Sequence, residues 1–156
     1  MAKNGIQFED LEKFSERLIA LGNSKAAEAI IKQTLYEGAG VYADAVRSEL
    51  SHVIEGNSYF RVFDHSLDKR ERTGALLSSL SLTPMRDDNG WSTRLTFLGV
   101  DGKGTPNAIK AAALEYGTSK QAKTPFLRPA IKKVQAEANA KMNAKMNELI
   151  ENAMEE

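Results

Sequence analysis

The chain has 156 residues, no cysteine, and 21 basic against 21 acidic side chains, a length that suits one domain and buries roughly two-thirds of the unfolded surface on folding. Without thiols it has no disulfide framework and no thiolate metal site, which fits a protein made and used in a reducing cytoplasm. The opening Met1-Ala2-Lys3-Asn4-Gly5 has no apolar signal core and no apolar run approaches the about 20 residues of a membrane span, while the balanced charge removes the overall field that drives non-specific DNA binding.

In chain order, Ile6 and Phe8 open an amphipathic stretch, and Leu11, Phe14, Leu18 and Leu21 recur at helical spacing, with Glu9 and Asp10 at the positive end and Gly22 as the stop. Asn23-Ser24 is a candidate cap for a second helix, whose stripe is Ile31, Leu35, Tyr42, Val46 and Leu50. That helix is expected to run for about 26 residues, near 40 Å, with Gly38 and Gly40 marking a kink or a close-packing point. Residues 51–73 carry apolar groups without a period and read as a long loop. Its aromatics Tyr59, Phe60 and Phe63 are expected either to be ordered by a neighbouring subunit or to cover the subunit's own core.

Residues 76–86 and 91–100 flank Asp87-Asp88-Asn89-Gly90, and Asn-Gly between β-rich segments predicts a hairpin. On the second strand Trp91, Thr93, Leu95, Phe97 and Gly99 share one face. Two strands are marginal alone, so helices must cover them, or further strands must join at an edge. After the turn-rich Gly99–Pro106, a short helix is predicted over Asn107–Tyr116, then a third long helix over 125–155 with Ile131, Val134, Ala138, Met142, Met146, Leu149 and Ala153 on its apolar face. Helices this long exceed a compact chain with a radius of gyration of about 15 Å, so they should protrude or lie along a partner. The fold class expected is α+β: long amphipathic helices packed on a small antiparallel sheet with a hairpin and a long loop.

The most constrained stretch is 113–130. Gly117 supplies the left-handed conformation that stops a helix, and Thr124-Pro125 and Arg128-Pro129 offer two helix starts within a few residues. The string Glu115-Tyr116-Gly117-Thr118, a polar spacer, and Pro125-Phe126-Leu127-Arg128-Pro129-Ala130 before a terminal helix, together with Thr73-Gly74-Ala75-Leu76 upstream, resembles the tail-completion and neck proteins of long-tailed bacteriophages, the lambdoid minor tail family sometimes called Z-like. The resemblance spans most of the chain. It implies a virion structural protein made in the bacterial host cytoplasm, forming a ring of identical subunits at the head-to-tail junction, with no catalytic residues and no cofactor. Its implied partners are other neck, head-closure, tail-terminator or tail-tube proteins, and packaged DNA in the lumen. A tail-terminator or head-closure role stays open.

Charge along the last helix is segregated. Lys120, Lys123, Arg128, Lys132, Lys133, Lys141 and Lys145 stand against Glu137 alone, and Glu148, Glu151, Glu155 and Glu156 follow without a cation. This order opposes the helix macrodipole, which favours anions at the N-terminus by about 0.3–1 kcal/mol each. One reading is a solvated face. Another is head-to-tail association, in which the basic start (Arg128, Lys132, Lys133) meets a neighbour's acidic end (Glu148, Glu151). A third is a nucleic-acid-binding module using the basic 120–133 region.

Catalytic constellations are missing. Gly99-Val100-Asp101-Gly102-Lys103-Gly104-Thr105 lacks the spacing and the Gly-Lys-Ser/Thr ending of a phosphate cradle. Asp87 and Asp88 sit at an expected hairpin tip, and His52 and His65 have no carboxylate partners at ligand spacing. The five methionines, several on the last helix, suit ordinary helix packing or an adaptable interface.

Overall fold

The structure is a computed structural model that describes residues 11–56, 76–102 and 104–155. Tyr59, Phe60, Phe63, Thr73 and Gly74, with most of the expected 51–73 loop, lie outside those residues. The elements are α1 (Leu11–Ala20), α2 (Ser24–Gly56), β1 (Leu80–Leu82), β2 (Arg86–Asp87), β3 (Trp91–Ser92), β4 (Leu95–Phe97), α3 (Asn107–Tyr116) and α4 (Leu127–Glu155). The fold is α+β, with helices packed on a small antiparallel sheet.

Local chemistry explains most element ends. Gly22, at φ 62°, closes α1, and the Asn23 side-chain carbonyl accepts the Lys25 and Ala26 N–H groups at the start of α2. α2 then runs for 33 residues, about 50 Å. It absorbs residues 51–56, which the sequence assigns to the loop, because Ile54 is buried in the same core cluster as Leu50, Leu76 and Phe126. A helical turn at 76–79, also expected as strand, leads into β1 and is held by the Ser79 hydroxyl donating to the Leu76 carbonyl at 2.7 Å.

The two long helices lie along each other within one chain. On α2 the side chains of Ile30, Thr34, Tyr42, Val46, Leu50 and Ile54 are buried, with Gly38 between Thr34 and Tyr42. On α4 the buried residues are Ala130, Ala138, Met142, Met146 and Ile150, with Val134 half-buried. Both lines step by four residues. Each step up α2 matches a step down α4: the Thr34 hydroxyl meets Met146 Sδ at 3.8 Å, Gly38 faces Met142, Tyr42 packs with Ala138, and Lys133 pairs with Glu49 at 3.3 Å. The helices are therefore antiparallel. A step of four is the i±4 ridge, and a period longer than 3.6 belongs to right-handed winding rather than to a heptad coil.

This geometry corrects the stripes read from side-chain size. Ile31 and Leu35 are only partly buried, and Ile131 is 43% exposed, while Thr34, Gly38 and Ala130 occupy the contact line. Small residues recur because the backbones approach closely. A Cβ on Gly38 would lie 2.6 Å from Met142 Cγ and closer still to its Sδ, so this glycine is a packing point within an unbroken helix. Around the pair, the core of the described residues falls into three clusters. The sheet, α3 and the start of α4 pack at one end; Val41, Tyr42 and Ala138 fill the middle; and α1 covers the far end through Phe14, Ile30, Met146 and Ile150. There Arg17 also donates to Asn147 Oδ1 at 2.6 Å.

β1 to β4 form a single hairpin broken by a bulge. Leu80 pairs with Phe97 and Leu82 with Leu95, and Arg86 pairs with Ser92 and Asp87 with Trp91. Three residues (83–85) therefore oppose two (93–94). Pro84 lies in the longer segment and has no N–H to give the ladder, while Thr83 ties the break together: its N–H donates to the Arg94 carbonyl at 2.8 Å and its hydroxyl accepts the Arg94 N–H at 3.0 Å. The tip turns at Asn89 (φ 68°) and Gly90 (φ 124°), as the Asn-Gly signal anticipates. The outer hairpin leans on α2, with the Lys32 ammonium 4.0 Å from the Trp91 ring centre and the Met85 N–H donating to the Tyr36 hydroxyl at 3.0 Å.

Two stability predictions follow from the helix pair. Gly38→Ala gains about 1 kcal/mol of helix propensity but overpacks at a typical cost of about 1–3 kcal/mol, so a net loss is expected in urea denaturation. Adding Met142→Ala should relieve the overpacking, giving a positive coupling in a double-mutant cycle. The buried Tyr42 hydroxyl has no hydrogen-bond partner among the described residues, and burial pushes its pKa above the ordinary 10.0. The native state therefore favours the neutral phenol, and the associated stability is lost as pH rises through the raised pKa. Tyr42→Phe should keep or gain up to about 1 kcal/mol at neutral pH and escape that alkaline loss, as urea midpoints on either side of pH 10 would report.

Candidate functional site

The corner between α3 and α4 is built from the 115–130 string. Gly117 ends α3 at φ 79°, its N–H donating to the Ala113 carbonyl at 3.0 Å. Thr118 and Gln121 then exchange backbone hydrogen bonds at 2.8 and 3.3 Å, turning the chain through Ser119 and Lys120. A Cβ on Gly117 would sit 2.9 Å from both the Gln121 carbonyl oxygen and the Lys123 nitrogen. These are backbone atoms that have nowhere to move, so the position demands glycine for space as well as for φ. The returning strand is held against α3 by the Thr124 N–H, which donates to the Leu114 carbonyl at 2.7 Å.

α4 starts at the second of the two candidate positions, with Pro129 inside its first turn where no N–H is missed. Its capping carboxylate comes from α3. Glu115 is only 4% exposed, and its Oε2 accepts the N–H groups of Phe126 at 2.8 Å and Leu127 at 2.9 Å. A carboxylate there satisfies two orphan donors and supplies the anion that the first turn of α4 lacks. Phe126 is fully buried and meets the Phe97 ring edge-on at 6.1 Å and 81°, which fastens the corner to the sheet.

The rest of the string is on the surface. Tyr116 is 68% exposed, and Lys123, Pro125, Arg128, Pro129 and Lys132 are exposed around an open cleft of about 550 Å³ that Glu115 also lines. Its cations outnumber its single carboxylate, and that carboxylate is already engaged by two N–H groups. No nucleophile is paired with a base here. Among the described residues no three His, Asp or Glu side chains gather to hold a metal. An aromatic ring, two prolines and three cations suit recognition of an acidic group, through charge and rigid apolar contact.

Other residues singled out from the sequence stand apart from the cleft. Lys133 pairs with Glu49 at 3.3 Å and Glu148 with Lys145 at 3.0 Å, both inside the chain, while Glu151 is exposed near the end of α4. Asp101 of the glycine-rich turn accepts the Thr105 N–H at 2.8 Å and pairs with Lys110, which makes it a loop staple. Asp87 and Asp88 are exposed at the hairpin tip. The capping role of Glu115 has no local sequence signature, because it acts across 11 residues rather than the three of a capping box.

No family model, no curated protein and no solved structure matches the chain.

The corner can be tested by substitution. Glu115→Ala should cost about 2–4 kcal/mol by leaving two buried N–H groups without an acceptor, and Glu115→Gln less, since one oxygen remains. Gly117→Ala should cost at least about 1–2 kcal/mol. Urea denaturation followed by far-UV circular dichroism would measure all three, and a neutral Glu115→Ala would refute the capping role.

Proposed function

We propose that the chain is a virion structural protein of a tailed phage, forming a ring at the head-to-tail junction that joins tail to head, in a tail-completion or neck role. The observation that carries this reading is the use made of the 115–130 string. Its buried members, Glu115, Gly117 and Phe126, serve architecture, and its exposed members form an open basic and aromatic surface without a reacting pair. That division suits a protein whose activity is assembly. Further support comes from Leu98, Val100 and Ile109, large apolar side chains exposed around the start of α3. They stand at the other end of a 10-residue helix, about 15 Å from the cleft, so a ring subunit would have a second surface, apart from the cleft, to bury against a neighbour.

A ring subunit would act by having its contact surfaces buried only between copies and against neighbouring neck or tail proteins. Nucleic-acid binding is the second reading, favoured by Lys123, Arg128 and Lys132 lining one cleft, with Lys120 also exposed in the preceding turn. A lumen-facing surface would combine the two.

Electron microscopy of particles made without this protein is expected to show heads and tails that fail to join and lack density at the junction. The half-particle missing the ring would separate tail completion from tail-terminator and head-closure roles, and intact joined virions would overturn the proposal. If the basic corner binds DNA instead, log affinity should fall steeply with log salt, and each phosphate-contacting lysine removed should lower that slope by about one unit.

A further inference from the structure

We infer that the cleft between α3 and α4 is a socket for the last turn of α4 from a second copy of the chain. Glu151 and Glu155 of one subunit face Lys123, Arg128 and Lys132 of the next, and Met154 packs against Tyr116 and the two prolines. The inference deepens the ring reading by naming its contact, and rests on that reading only for self-association.

The charges of α4 sort themselves by whether they are paired. Along its middle, Lys133 pairs with Glu49, Lys141 with Glu137 and Lys145 with Glu148. Among the described residues, the charges on α4 without an ion pair are Arg128 and Lys132 at its start and Glu151 and Glu155 at its end. Among those residues Lys123, just before the helix, has none either, and Arg17 of α1 reaches the far end of α4 only as a donor to Asn147. The unpaired cations and unpaired anions are thus segregated to opposite ends of a 29-residue helix, about 43 Å apart. Several Debye lengths separate them at physiological salt, so they cannot satisfy each other within one subunit. Each set also opposes the macrodipole of its own helix. A second copy supplies both missing partners at once.

Shape agrees with charge. The socket has an exposed ring and two prolines on its walls, and the acidic turn carries Met154, 64% exposed, an unbranched side chain that adapts to such a surface. Nucleic acid would satisfy the cations alone, and would leave the acidic turn and its methionine without a partner. Because plug and socket are different surfaces, the contact is head-to-tail, and it closes into a ring when the rotation between copies permits.

The test uses the full chain and charge reversal. A socket variant (Lys123→Glu, Arg128→Glu, Lys132→Glu) and a plug variant (Glu151→Lys, Glu155→Lys) are compared with wild type by sedimentation velocity and native mass spectrometry across a salt series. Each variant alone should associate at least about tenfold more weakly, and an equimolar mixture of the two should regain assembly with alternating 1:1 composition. Both variants put the charge that the macrodipole favours at the end they alter, so each should melt at or above the wild-type temperature, and lost assembly then cannot be lost folding. Wild-type assembly that persists unchanged in both variants would overturn the plug and socket and leave the ring standing. A wild-type chain that stays monomeric at every concentration would overturn self-association itself. Assembly that survives the socket variant while its binding to a short DNA duplex is lost would assign the cleft to nucleic acid.

Discussion

Everything described depends on the close approach of α2 and α4 at Gly38 and Met142. Two helices that touch every fourth residue must keep small groups wherever their backbones come near, and Gly38, Ala130 and Ala138 meet that need. The larger partners, Met142 and Tyr42 among them, fill the space left opposite. Dispersion contacts of this kind are individually weak and collectively large, and an interior packed this densely leaves little room to slide one helix past the other. The register of the pair therefore decides where each end of α4 comes to rest.

That register carries the corner. Phe126 lies four residues before Ala130, one step beyond the start of α4 on the same line, and its burial against Phe97 continues the packing into the sheet. With Phe126 held, the N–H groups of Phe126 and Leu127 point to Glu115, and the carboxylate of one helix caps the next. The loop between them can then be short only if Gly117 takes a positive φ and leaves space for Gln121 and Lys123. The cleft is the outer surface of this arrangement. Its cations are presented by a stiff corner, with proline at two of its lining positions, which limits the backbone ordering entropy that any binding there would cost.

Much of this was legible in the chain alone. The limits of α3 follow from the sequence to the residue, because Pro106 and Gly117 punctuate it, and the Asn89-Gly90 turn follows from backbone chemistry. The stripes on α2 and α4 were only partly legible. Hydrophobic periodicity weighs large side chains, whereas the observed line runs through Thr34, Gly38, Ala130 and Ala138, whose small size is itself the adaptation. The extension of α2 to Gly56 escaped the same kind of reading, since burial of Ile54 depends on Leu76 and Phe126, remote in sequence. The bulge at Pro84 had a local cue, but its register consequence needed both strands.

By itself the sequence determined what local backbone chemistry controls: where helices stop at glycine, where the hairpin turns, that 113–130 is a corner, and that charge is segregated along the last helix. Those follow from φ, from missing N–H groups and from residue order, and all act within a few residues. Tertiary structure alone decided that Glu115 is a buried cap rather than a surface acid. It also decided which charges of α4 are paired in the chain, and that Tyr116, Lys123, Arg128 and Lys132 surround one cleft. These depend on distances between groups that only the packing of α2, α3 and α4 brings together, and no pattern of neighbours along the chain encodes such distances.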